Sequence, residues 1–214
     1  MRTFPRHLLT ADERRLFTKL NTPSKIQDYI NTFPYNNTDS LRSMRYALQS
    51  QELHCFEGAL LATALLWFHG HAPLLLDLST TKHDDDHVVA LFKKDGLWGT
   101  ISATHHSVLR FRDPLFKNMR EIALSYFHEY FLNSGNKTLR TFSKKPFSLL
   151  PYDDTWLTGN EDLYEIGADL DDAPHESIVP AKLIRHLRKA DTIERLAANT
   201  LPPAEQRKTG PRKK

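Results

Sequence analysis

Residues 55–69 read Cys-Phe-Glu-Gly-Ala-Leu-Leu-Ala-Thr-Ala-Leu-Leu-Trp-Phe-His, and Gly70 follows. The stretch is a strong helix pattern, and Gly70 stands at the position after it where a left-handed residue would end it. Ala72 to Leu78 is a short apolar run and reads as a buried strand. His87 to Lys94 alternates, with Val88, Ala90 and Phe92 on one face and His87, Val89 and Leu91 on the other. Asp95-Gly96 is a strong hairpin signal, and Leu97 to Ile101 is the returning strand. The order helix, strand, strand, hairpin, strand predicts an α+β fold, an antiparallel sheet packed against the helix that begins at Cys55.

Upstream, Thr10 and Glu13 form a capping-box pair ahead of Leu16, Phe17 and Leu20. Thr22 caps a second helix with Pro23 at its first position and Ile26, Tyr29, Ile30 and Phe33 as its apolar stripe. Leu41 to Gln49 reads as a third helix. Downstream, Leu115 to Phe131 reads as a helix and Lys137 to Phe142 as a short strand. Residues 153–176 hold nine carboxylates and no Lys or Arg, the composition of an irregular solvated excursion. Ile178 to Ala198 reads as a cationic amphipathic helix. The expected organisation is a helical N-terminal part (1–50), a core with C-terminal helices (51–198) and a flexible basic tail (199–214).

The chain has 214 residues, 40% of them hydrophobic and 10% aromatic, enough to build a real core. Its longest apolar run, Ala59 to Phe68, is half of what a membrane span needs. The N-terminus lacks the apolar segment of a secretion signal, and a single cysteine makes no internal disulfide, so the expected compartment is the cytoplasm. The net charge of +3 is misleading, because residues 205–214 alone carry +4 and the remainder carries −1. Nucleic acid is therefore an unfavoured partner, apart from the basic tail.

Chemistry centres on Cys55. A thiol at a helix N-terminus has its thiolate stabilised by unpaired N–H groups and the helix dipole; the other reading is a buried structural cysteine. His87 opens a strand beside that helix, where a base belongs in a thiol–imidazole pair. His54 is expected to point away and to tune the thiol rather than act as base. His175 and most other histidines read as surface or packing residues, and His105 and His106 as exposed bystanders.

Cys55-Phe56-Glu57-Gly58-Ala59, the long apolar helix, Gly70, a strand, His87, and then Trp98 with Ser102-Ala103-Thr104 resemble the transglutaminase-like branch of the papain-type superfamily. That branch carries Cys on the helix, His on a following strand, and a Trp-x-x-x-Asp-Pro-Thr-like ending on the strand after. The resemblance spans about residues 50–105 and implies a papain/transglutaminase-like fold with flanking helices. It implies a cysteine-dependent amide hydrolase or acyl transferase acting on a peptide, an isopeptide or a small amide, with no cofactor. Ser102 falls at the Asp position and departs from the pattern, since a hydroxyl orients an imidazole but supplies no charge. Asp77 is the alternative source of that carboxylate, or a capping residue. Gln49, six residues before the cysteine, matches the papain-like oxyanion glutamine, or is a solvated helix residue. A catalytically inactive relative serving as a binding or scaffolding module is the rival expectation. His83-Asp84-Asp85-Asp86-His87 is too contiguous to converge on one metal ion and reads as a solvated loop.

Overall fold

The computed structural model describes residues 2–198; the expected basic tail lies outside them. Three helices come first: α1 (Ala11–Lys19), α2 (Pro23–Ile30) and α3 (Met44–Ser50). The Thr10–Glu13 capping box forms in full, and Thr22 caps α2 with Pro23 in its first turn. The third helix starts later than the sequence suggests, because Ser43 caps it by accepting the Tyr46 N–H.

Helix α4 (Cys55–Phe68) is the axis of the molecule, buried at every position from Phe56 to Phe68. At its end Gly70 has φ +92°, and the His71 N–H returns to the Leu66 carbonyl at 3.0 Å. That is the helix-stop geometry that favours glycine. The chain then enters β1 (Leu74–Ser79), β2 (His87–Lys94) and β3 (Leu97–Ile101). Asp95 and Gly96 both have positive φ, as the two-residue hairpin between β2 and β3 requires.

The remaining elements are β4 (Arg112–Phe116), α5 (Met119–Phe127), β5 (Thr141–Ser143), β6 (Phe147–Ser148), α6 (Thr155–Thr158), α7 (Tyr164–Asp171), β7 (His175–Ser177), α8 (Ala181–Ile184) and α9 (Thr192–Ala198). The strands form one antiparallel sheet in the order β4-β3-β2-β1-β5-β7, with β6 also pairing β1. The α+β expectation therefore holds. One face carries Leu75, Val88, Ala90 and Phe92 against α4 and the N-terminal helices. The other carries Leu76, Leu78, Val89 and Leu91 against α5. Gly58 lets α4 approach the end of β3 closely: a Cβ there would lie 2.2 Å from the Ala103 Cβ.

Three sequence expectations need correction. Leu115 and Phe116 belong to β4, and the helix starts only after Asn118, whose side chain accepts the Glu121 N–H. The acidic segment is not a solvated excursion: Trp156, Leu157, Leu163, Ile166 and Leu170 are buried, and Trp156 stacks on Trp67 at 5.9 Å. Its carboxylates line the outer side of short helices whose inner side is apolar. The long C-terminal helix is two short ones, because the Ile178 N–H bonds the Arg140 carbonyl and Ala190 is tied to Gly135. No helix among the described residues is long and apolar enough to cross a membrane.

Candidate active site

Cys55 is the first residue of α4 and is half-buried. His54 caps the helix: its Nδ1 accepts the Phe56 N–H at 3.1 Å, its backbone N–H donates to Glu57 at 3.2 Å, and Nε2 faces the Ser40 carbonyl. The expectation that His54 points away is thus corrected. The sequence signal was available, since His54 and Glu57 stand at capping-box spacing.

His87 begins β2 and is buried. Its ring and that of His54 both favour the Cys55 thiolate, and the thiol lies 3.9 Å from the Asp86 carbonyl. Burial pushes the thiol pKa up, but the two rings pull it down by more, to about 5. The thiolate in turn raises the pKa of His54, against burial. An Nδ1 that accepts the Phe56 N–H carries no proton, however, so in this conformation His54 is a neutral cap and the charge that lowers the thiol pKa is left to His87.

Behind His87 stands Ser102. Extending the register from Ala90–Ile101 places Ser102 opposite Val89, on the face that His87 shares. His87 Nε2 is 2.7 Å from the Ser102 hydroxyl, and that hydroxyl is 2.7 Å from the Leu109 carbonyl. A carbonyl only accepts, so Ser102 donates to Leu109 and accepts from His87. His87 Nε2 therefore carries a proton. Ser102 is itself clamped: Gln27 accepts its N–H at 2.9 Å and donates to its carbonyl at 2.8 Å. Leu109 pays for its place with a φ of +60°, a conformation worth roughly 1–3 kcal/mol of strain in a leucine.

Asp77 does not join this group. The register pairs it with Val88, which puts its side chain on the opposite face of the sheet from His87. There it accepts from Ser79 at 2.6 Å and from His175 Nε2 at 2.9 Å. His175 is therefore no ordinary surface histidine. Gln49 is exposed on α3, and no hydrogen bond links it to Cys55.

The residue at the thiol that sequence reasoning missed is Tyr35. A lone bridge between Tyr35 and Leu53 lays its backbone beside the approach to Cys55, and its ring meets His105 edge-on at 4.6 Å. Its hydroxyl lies against both the backbone and the thiol of Cys55. Burial, and then the neighbouring thiolate, push the phenol pKa far above its ordinary value, so the hydroxyl keeps its proton. Nothing local marks Tyr35, because a pairing across 18 residues brings it there. His106 is half-buried, and burial followed by the charge of its histidine and arginine neighbours pushes its pKa down to about 4. Tyr130 closes the far side, its ring 6.4 Å from that of His87 and its hydroxyl 2.5 Å from the Asp85 carbonyl.

The charged loop 83–86 is braced rather than free. Thr80 N–H donates to Asp86 at 2.6 Å, and Thr138 donates to Asp84. Those bonds hold the turn that delivers His87 to the thiol. A comparison with protein-family models found no match, and neither did a comparison with curated proteins.

Proposed function

We propose that the chain is a cysteine-dependent amide hydrolase or acyl transferase of the papain/transglutaminase-like type. The observation that carries this reading is the ordered set Cys55 thiol, His87 ring and Ser102 hydroxyl, with the thiol on a helix N-terminus. The Cys55 thiolate attacks a carbonyl carbon of a peptide, isopeptide or small amide. His87 holds the thiol proton on Nδ1 and returns it to the leaving amine, while Ser102 keeps Nε2–H in place. The Cys55 N–H and the Tyr35 hydroxyl, both at the reacting sulfur, are the donors for the developing oxyanion. Water or an amine then takes the acyl group from sulfur.

A catalytically inactive binding module is the second reading, and the hydroxyl at the third position favours it. A neutral Ser102 stabilises an imidazolium less than a carboxylate does, a loss that reaches orders of magnitude in related constellations.

The first test exploits the single thiol. Iodoacetamide at pH 6 should modify Cys55 at least ten times faster than a free cysteine, whose pKa is about 8.5. His87→Ala should slow the reaction, read from whole-protein mass against time. Slow labelling indifferent to His87 removes the nucleophile. Fast labelling without turnover of any acyl donor, ester or amide, leaves the inactive module.

A further inference from the structure

On the α5 side of the sheet, between the 80–86 loop, the start of β5 and the C-terminal helices, lies a cleft of about 250 Å³. Its polar wall is His83, Lys137, Arg140 and Lys189, and its apolar wall includes Leu132 and Leu187. Among the described residues no carboxylate lines it. We propose that this cleft binds a phosphate group, the dianionic head of a small phosphomonoester.

Arg140 carries the argument. Its guanidinium is half-buried and makes no ion pair among the described residues. Two of its N–H groups brace on nearby carbonyls, Leu139 and Lys137, each at 2.9 Å. Burial pulls its pKa below the ordinary value, and the two carbonyls offer no counter-charge in compensation. A phosphate would supply that compensation, and the planar guanidinium still has donors in the fork geometry that a phosphate accepts.

The neighbours fit the same ligand. The Lys137 ammonium is held at 3.0 Å from the Arg188 carbonyl. Lys189 is exposed at the rim and reaches a bound anion as a point charge. Thr81 and Asn136 add neutral donors. Asp84, next in the chain to His83, does not line the cleft and accepts the Thr138 hydroxyl. At this volume the cleft is below the roughly 300–1,000 Å³ of sites for drug-sized ligands, so it takes a head group and a small organic remainder against Leu132 and Leu187.

The probe is inorganic phosphate, titrated into the full chain against chloride of equal ionic strength, so that screening cancels. Phosphate at about 10 mM should raise Tm by about 3 °C, as millimolar affinity requires for a chain of this size. Arg140→Gln should abolish the shift. Arg140 also braces backbone carbonyls, so Lys189→Gln, at an exposed position, is the second variant and should weaken binding several-fold by calorimetry. Phenyl phosphate separates the sources: binding several-fold tighter than phosphate identifies a monoester, and equal binding identifies free phosphate. Absence of a phosphate-specific shift in the wild type, or full retention of it in Lys189→Gln, overturns the site. The readout does not involve Cys55, and Cys55→Ser should bind phosphate unchanged.

Discussion

At the scale of single residues, the thiol site divides into what local rules reveal and what only tertiary pairing brings in. Cys55, His87 and Ser102 were legible because each follows from an element boundary: a helix start, a strand start, and a position just past a strand end. The partners that set their chemistry were not, since Tyr35 and Gln27 arrive from helices and loops with no spacing to the site. Tyr35 has a measurable role under the proposed mechanism. Its hydroxyl donates to the thiolate, so Tyr35→Phe should raise the thiol pKa. Alkylation at pH 6 should then slow several-fold, while the rate at pH 9, where the thiol is ionised in either protein, stays the same. If Tyr35 also donates to the oxyanion, acylation by an ester should fall at pH 9 as well. A variant indistinguishable from wild type in both assays would reduce Tyr35 to packing. A lost oxyanion donor typically costs about 10²–10³ in rate, far more than the change in thiol ionisation.

At the scale of elements, the edge of the sheet contains a histidine–carboxylate pair with a task of its own. β7 is only three residues long and pairs β5 through Thr141–Ser177, Phe142–Glu176 and Ser143–His175. From it His175 reaches across to the buried Asp77 of β1, whose other carboxylate oxygen has no hydrogen-bond partner among the described residues. His175 Nε2 faces that carboxylate at 2.9 Å and Nδ1 faces the Ala173 carbonyl at 2.6 Å. Both neighbours are acceptors, so both nitrogens carry protons and the ring is an imidazolium. The hydrogen bond to Asp77 raises its pKa most; burial opposes this, while the Ala173 carbonyl and the charges of Asp77 and Asp86 add to it. Asp171 also faces the pair. A raised histidine pKa gives stability that is complete below the unfolded value of about 6.5 and is lost as pH rises through the folded value. Urea unfolding of wild type and Asp77→Asn should therefore differ most at pH 6, and the gap should narrow towards pH 9. A gap that is constant or widens would mean that His175 is neutral. The sequence offered Asp77 as a partner for His87 because both lie near the ends of neighbouring strands. The register, one residue out of phase between the two faces, decides otherwise.

At the scale of the whole molecule, the N-terminal helices, α4 and the acidic segment share one apolar cluster. The sequence reading failed there for a physical reason. Nine carboxylates dominate the composition of residues 153–176, yet burial is decided by position, and Leu163, Ile166 and Leu170 recur at i, i+3 and i+7. Further anchors tie the segment down: Asp162 accepts the Leu41 N–H at 2.9 Å, and the Gly159 carbonyl accepts the Ser43 hydroxyl at 2.7 Å. Trp156 is fully buried and stacks on Trp67 of α4, so it couples the acidic segment to the helix that carries Cys55. If these parts fold as one unit, Trp156→Ala should cost about 3–5 kcal/mol and lower Tm by roughly 10 °C for a chain of this length. The transition should remain single by both fluorescence and far-UV dichroism, and Cys55 labelling should follow that same transition. A solvated excursion would lose almost nothing on the same substitution. A segment folding apart from the core would instead show an early transition that leaves Cys55 labelling unchanged. A single shifted transition would show that the reactive end of α4 depends on packing against residues more than 100 positions away in the chain.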